Sequence, residues 1–141
     1  MRFTLATVIA LSASVLAAPT PQASGIDPEE IVVLDFSVRH QTDGSVVSVG
    51  LHLNGHDESD LYCGQTGEVV LGQKYACGDS KYSFSLEKDS IYTYGIHVFH
   101  QWGVASGVSG YRGIDTICHA GPLQTTICTA PGPVWFYIGS V

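Results

Sequence analysis

Four cysteines, Cys63, Cys77, Cys118 and Cys128, stand behind an N-terminal stretch that reads as an export signal. Met1 and Arg2 precede the apolar run LATVIALSASVLAAP, and the small residues Ala17 and Ala18 come just before Pro19. A basic start, a short apolar centre and a small-residue boundary mark a secretory signal peptide over residues 1–18. The run is short for a bilayer span and carries Thr and Ser. Export takes the cysteines into an oxidising compartment, where four of them imply two intrachain disulfides. Three pairings are possible. Cys63–Cys77 with Cys118–Cys128 closes the two shortest loops and is the expected one, each bridge contributing roughly 2–3 kcal/mol.

Cleavage leaves about 123 residues, the size of one domain. Residues 19–30 contain PTPQASGIDPE and read as a flexible lead-in. Beyond it, period-2 alternation recurs. IVVLDFSVRH puts Val32, Leu34, Phe36 and Val38 on one face. Thr42 to Gly44 turn the chain. SVVSVGLHLN puts Val47, Val49, Leu51 and Leu53 on one face and His52 on the other. KYSFSLEKD sets Tyr82, Phe84 and Leu86 against Ser83, Ser85 and Glu87. IYTYGIHVFHQW aligns Tyr92, Tyr94, Ile96, Val98, His100 and Trp102. PVWFYIGSV sets Val134, Phe136 and Ile138 against Trp135 and Tyr137. No segment carries a capped helical period. The pattern predicts an all-β, single-domain antiparallel β-barrel, or a barrel-like sandwich, over residues 31–141.

Candidate chemistry concentrates in LHLNGHDESDLYC. His52 and His56 would share one face of a helix, as zinc ligands do, but the strand pattern and the NG turn signal deny the helix. In a strand they lie about 13 Å apart. His56, Asp57, Glu58 and Asp60 are therefore expected to decorate a turn, with no metal and no cofactor. His97 and His100 fall on opposite strand faces, and His100 is expected to be partly buried. GVASGVSGY lacks the G-x-S-x-G elbow, so nothing marks an enzyme. The stretch from Gly103 to Gly113 reads as a long mobile loop. Its Tyr111 and Arg112 are of types enriched at binding hot spots. The acidic turn with His56, Asp57 and Glu58 is the other recognition candidate. A net charge of −7 argues against nucleic acid.

The segments LYCG, KYACGDSKYSFSLEKD and ICHAGPLQTTIC, followed by a short C-terminal strand, resemble the Alternaria major-allergen-like family of small secreted fungal proteins. The resemblance runs from about Ile31 to Val141. It implies one β-barrel domain, the same two disulfides and no catalytic residues. It also implies a role between fungus and host, where members elicit plant defence and cell death and engage plant proteins of the thaumatin-like class. Family allergens can carry a further cysteine near the mature N-terminus that links two chains. PTPQASGIDPEE has none, so a homodimer would be non-covalent.

Two functions follow as expectations. One is a secreted effector or elicitor perceived by plant cells through its protein surface. The other is a carrier of an aromatic or apolar metabolite, with Tyr92, Tyr94, His100 and Trp102 as its ligand face.

Overall fold

The computed structural model describes residues 26–139; the expected signal peptide and most of the expected lead-in lie outside them. Ten strands run in chain order: β1 Glu29–His40, β2 Val46–Asn54, β3 Leu61–Val69, β4 Lys74–Ala76, β5 Tyr82–Lys88, β6 Tyr94–Gly103, β7 Ser106–Ile114, β8 Ile117–Ala120, β9 Thr126–Thr129 and β10 Val134–Ile138. A short 3-10 turn, Pro122–Gln124, separates β8 from β9.

The fold is all-β, as expected, but of the expected barrel or barrel-like sandwich no sheet closes into a barrel. Two antiparallel sheets share one core, and neither sheet closes on itself. One has the order β3-β2-β1-β9-β8, with β10 also paired to β1; the other has the order β4-β5-β6-β7. Buried residues from both sheets, among them Val33, Phe36, Leu51, Phe84, Ile96 and Ile138, make a single hydrophobic cluster. The sheet edges meet at two seams. Cys63–Cys77 ties β3 to the end of β4, and a Ser109–Gly139 bridge ties β7 to the residue after β10. Cys118–Cys128 joins directly opposed residues of β8 and β9. Both pairings are the expected ones.

The chain departs from plain alternation at two bulges. β1 is long enough to pair with β10 through Glu29 to Val33 and with β9 through Ser37 to His40. Between them Asp35 adopts φ 52, and the register with β2 shifts between Leu34 and Ser37. An extra residue in one strand moves everything before it to the other face. The core therefore takes Ile31 and Val33 with Phe36 and Val38, and not Val32 and Leu34. A second shift between Val46 and Ser48 likewise buries Val46 in place of Val47. Elsewhere the pattern holds: Tyr82, Phe84 and Leu86 are buried, as are Phe136 and Ile138, with Trp135 and Tyr137 outside. Ser85 is on the outer face with Glu87, whose carboxylate its hydroxyl reaches at 2.6 Å, and is nevertheless buried.

The largest correction concerns the expected mobile loop after Gly103. Its residues from Ser106 on form β7, paired along nearly its full length with β6. Small residues misled the reading, because Gly and Ser are depleted in strands. Here they admit close neighbours. A side chain at Gly110 would meet Ile138 and the backbone of Tyr137 within 2.8 Å.

Candidate functional site

Two recesses open at opposite ends of β7. The first has a volume of about 790 Å³ and gathers Glu29 from the start of β1, His56 and Asp57 from the β2–β3 turn, Lys81 just before β5, His100 and Trp102 from β6, and Val108 from β7. At its floor the His100 ring lies between two carboxylates. Nδ1 is 2.6 Å from Glu29 Oε2 and Nε2 is 3.1 Å from Asp57 Oδ2. Carboxylates only accept, so a ring nitrogen that carries hydrogen donates to the carboxylate facing it. The His100 and Glu29 side chains are only 5% and 10% exposed. The Tyr82 hydroxyl donates to Glu29 Oε1 at 2.5 Å, and the His56 amide donates to the same oxygen at 2.8 Å. Tyr82 also stacks on His100, with ring centroids 4.1 Å apart, and the Asp57 amide donates to its hydroxyl at 3.2 Å. Lys81 Nζ stands 3.5 Å from Asp57 Oδ2. The fold permits this crowding because residue 55 is glycine. A Cβ there would lie 2.5 Å from the Tyr82 hydroxyl and 2.8 Å from Glu29 Oε1.

Burial works against the Glu29 charge, but the His56 amide, the Tyr82 hydroxyl and the His100 ring together hold its carboxyl below the usual range. The hydrogen bond from His56 leads in lowering Asp57, with Lys81 and His100 adding to it. Reciprocally, the bond to Asp57 raises His56. Burial, reinforced by both carboxylates, pushes the Tyr82 hydroxyl up.

A pH dependence follows from these directions. Carboxyls with depressed folded-state pKa values stabilise fully above their unfolded values and lose that contribution as pH falls through the folded ones. The melting temperature is expected to be highest between about pH 5 and 6, to fall steeply below about pH 4, and to slip slightly above about pH 7 as the exposed His56, raised by Asp57, gives up its proton. The Glu29→Gln variant, melted across the same range, should show a shallower fall. An identical slope in both proteins would remove Glu29 from the linkage.

The second recess, about 550 Å³, is an open groove formed by Tyr92, Arg112, Gly113, Asp115 and the Pro131–Trp135 segment that leads into β10. Arg112 shares its strand side with the buried Val108 and Ile114 but emerges exposed at the edge of β7. Trp135 is 58% exposed, and Tyr92 is also exposed. Tyr92 lies over Gly113, where a Cβ would come within 2.5 Å of its ring.

The residues singled out from sequence are thus redistributed. His56 and Asp57 join the polar pocket. Glu58 lines a shallow recess with Asp79, Ser80 and Lys81. Arg112 faces the groove, but its neighbour Tyr111 stands on the outer sheet face. There the Tyr111 hydroxyl donates to Asp89, and burial, then Asp89, pushes it up to about 12. Tyr92, Tyr94, His100 and Trp102 do not form one face. His100 and Trp102 belong to the pocket and Tyr92 to the groove. Tyr94 is 2% exposed in the core, its hydroxyl 3.0 Å from His40 Nδ1. Glu29, Lys81 and the Tyr82 hydroxyl were missed. Glu29 reads as lead-in, and Tyr82 reads as one more core residue of an alternating strand.

A family model for Alternaria alternata allergen 1 matches residues 33–128. The chain belongs to this family. Effector protein PevD1 of Verticillium dahliae is 36% identical over 148 aligned residues, spanning 100% of this chain and 96% of the relative. Crystal structures of the Alternaria alternata allergen Alt a 1 share the fold. One superposes with a TM-score of 0.65 at 18% identity, covering 77% of this chain and 86% of the allergen; another gives 0.64 at 15% identity, covering 79% and 94%. The stretch matched by the allergen 1 family includes all four cysteines, His56, Asp57, His100 and Arg112. Glu29 and Trp135 lie outside it.

Proposed function

We propose that this member of the Alternaria alternata allergen 1 family is a secreted fungal effector that plant cells perceive through its protein surface, with induction of defence and cell death as the outcome. The observation that carries the reading is the full-length likeness to a protein named an effector. The proposed partner is an extracellular plant defence protein, with the thaumatin-like class as the first to try. Recognition without catalysis is supported by the polar pocket itself. Both nitrogens of His100 are engaged by carboxylates, so the ring offers no free base to a substrate.

The surface we assign to recognition is the groove of Tyr92, Arg112 and Trp135. Trp, Tyr and Arg dominate binding hot spots because they bring large area and directed donors. Tyr111 is held by Asp89 and is a poorer anchor. The carrier reading keeps no common ligand face, because Tyr94 is in the core.

Infiltration of purified protein into leaves, scored for necrosis against dose, tests this. Changing Arg112 and Trp135 together to alanine should raise the effective dose about tenfold or more, with the thermal melt unchanged. Changing His56 and Glu58 to alanine should have a smaller effect, since rim charges act mainly on association rate. Full activity in the groove variant would show that recognition lies elsewhere. A wild-type protein inert on every plant tried would sink the elicitor reading.

A further inference from the structure

The polar pocket lies at the other end of β7 from the recognition groove, and the proposed function leaves it unused. Its walls combine a set of carboxylates with an apolar, aromatic side. Four carboxylates, Asp27, Glu29, Glu30 and Asp57, line it against one ammonium, Lys81, and two imidazoles, His56 and His100. Beside them stand Ile26, Pro28, Val108 and the indole of Trp102, which is 43% exposed and meets His100 edge-on with centroids 5.1 Å apart.

We propose that this pocket binds an organic cation, an ammonium or guanidinium group carried on a flat or apolar stem. The carboxylates select against an anion. A neutral apolar occupant would strip water from Asp27 and Glu30 and give nothing in return. A bare metal ion is disfavoured, because among the described residues no three His, Cys, Asp or Glu side chains are grouped to hold one. A cation set against the exposed Trp102 ring gains from the ring's negative face, and more so as water leaves. Its stem covers Ile26 and Val108. The site is preformed: Glu29, Tyr82, His100 and Asp57 are locked to one another, so little ordering remains for a ligand to supply. The chemistry is shared by a free amine and by a lysine or arginine side chain of a partner protein.

Titration of the intact protein with phenethylamine, followed by NMR at the Trp102 indole N–H and, in every variant, at the backbone amides of residues 27 and 108, tests the proposal. A saturable shift is expected from phenethylamine and none from phenylacetate. Asp27→Asn and Trp102→Leu leave the Glu29–His100–Asp57 hydrogen bonds untouched and should each weaken the amine about three- to tenfold. High salt should weaken it further. A blocked lysine amide that binds as tightly as phenethylamine points to a protein side chain as the source; selective binding of the aryl amine points to a small molecule. Equal shifts from amine and carboxylate, or no saturation below about 10 mM amine, would overturn the proposal. The leaf assay of the groove is unaffected by either result.

Discussion

Replacing Cys63 and Cys77 together by alanine is expected to lower the unfolding free energy by roughly 3–5 kcal/mol, a large share of the stability of a small domain. Closing a loop of 14 residues accounts for about 3 kcal/mol of this through the unfolded chain. The rest comes from position. Both cysteines are fully buried in the common core, so two small side chains leave unfilled space there. The bridge also joins β3 to the end of β4, strands that belong to different sheets and have no ladder between them. Cys118–Cys128 provides the control. It closes a loop of 10 residues, but β8 and β9 already pair at that point, and only Cys128 of the two is buried while Cys118 is exposed. Its removal should cost about 2.5–3 kcal/mol, essentially the loop-closure share alone. Urea denaturation of the two double variants decides the matter. Equal losses within about 0.5 kcal/mol would mean that the seam adds nothing beyond loop closure.

The same cysteines show what was legible beforehand. Disulfide pairing follows the cysteine spacing, which is written in the chain, so it was read correctly. Strand identity was legible wherever large side chains alternate, as in Tyr82 to Leu86 and Val134 to Ile138. It failed at β7, where Gly107, Gly110 and Gly113 carry no side chain to alternate, and where the strand is specified by its neighbours β6 and β10. The face of β1 was misread because a bulge is a tertiary event. Asp35 takes its left-handed conformation where β1 passes from one partner strand to another, and nothing local announces that exchange. The pocket was hidden for a related reason. Glu29 and His100 are 71 residues apart, and each looks ordinary alone. Only the pairing of Tyr82 opposite His100 across β5 and β6, with the start of β1 above them, makes the site.

Glu29→Ala is expected to cost about 3–5 kcal/mol, because it strands donors that only this carboxylate satisfies. The Tyr82 hydroxyl and the His56 amide lose their acceptor at Oε1, and His100 loses the nearer of its two carboxylates. His100→Phe should cost less, about 1–3 kcal/mol. Glu29 then keeps two hydrogen bonds, and a phenyl ring retains the stack on Tyr82. The double variant distinguishes a network from three separate contacts. With His100 gone there is no buried ring left unpaired, so the second change does less harm than it does alone. A coupling of about 1–3 kcal/mol is expected between the two positions, read from urea midpoints at pH 7 with slopes unchanged. Strict additivity would show that the carboxylate and the ring act independently. The start of β1 would then be held by its ladder with β10 and by its burial, and the acid lability of Glu29 would rest on the His56 amide and the Tyr82 hydroxyl alone.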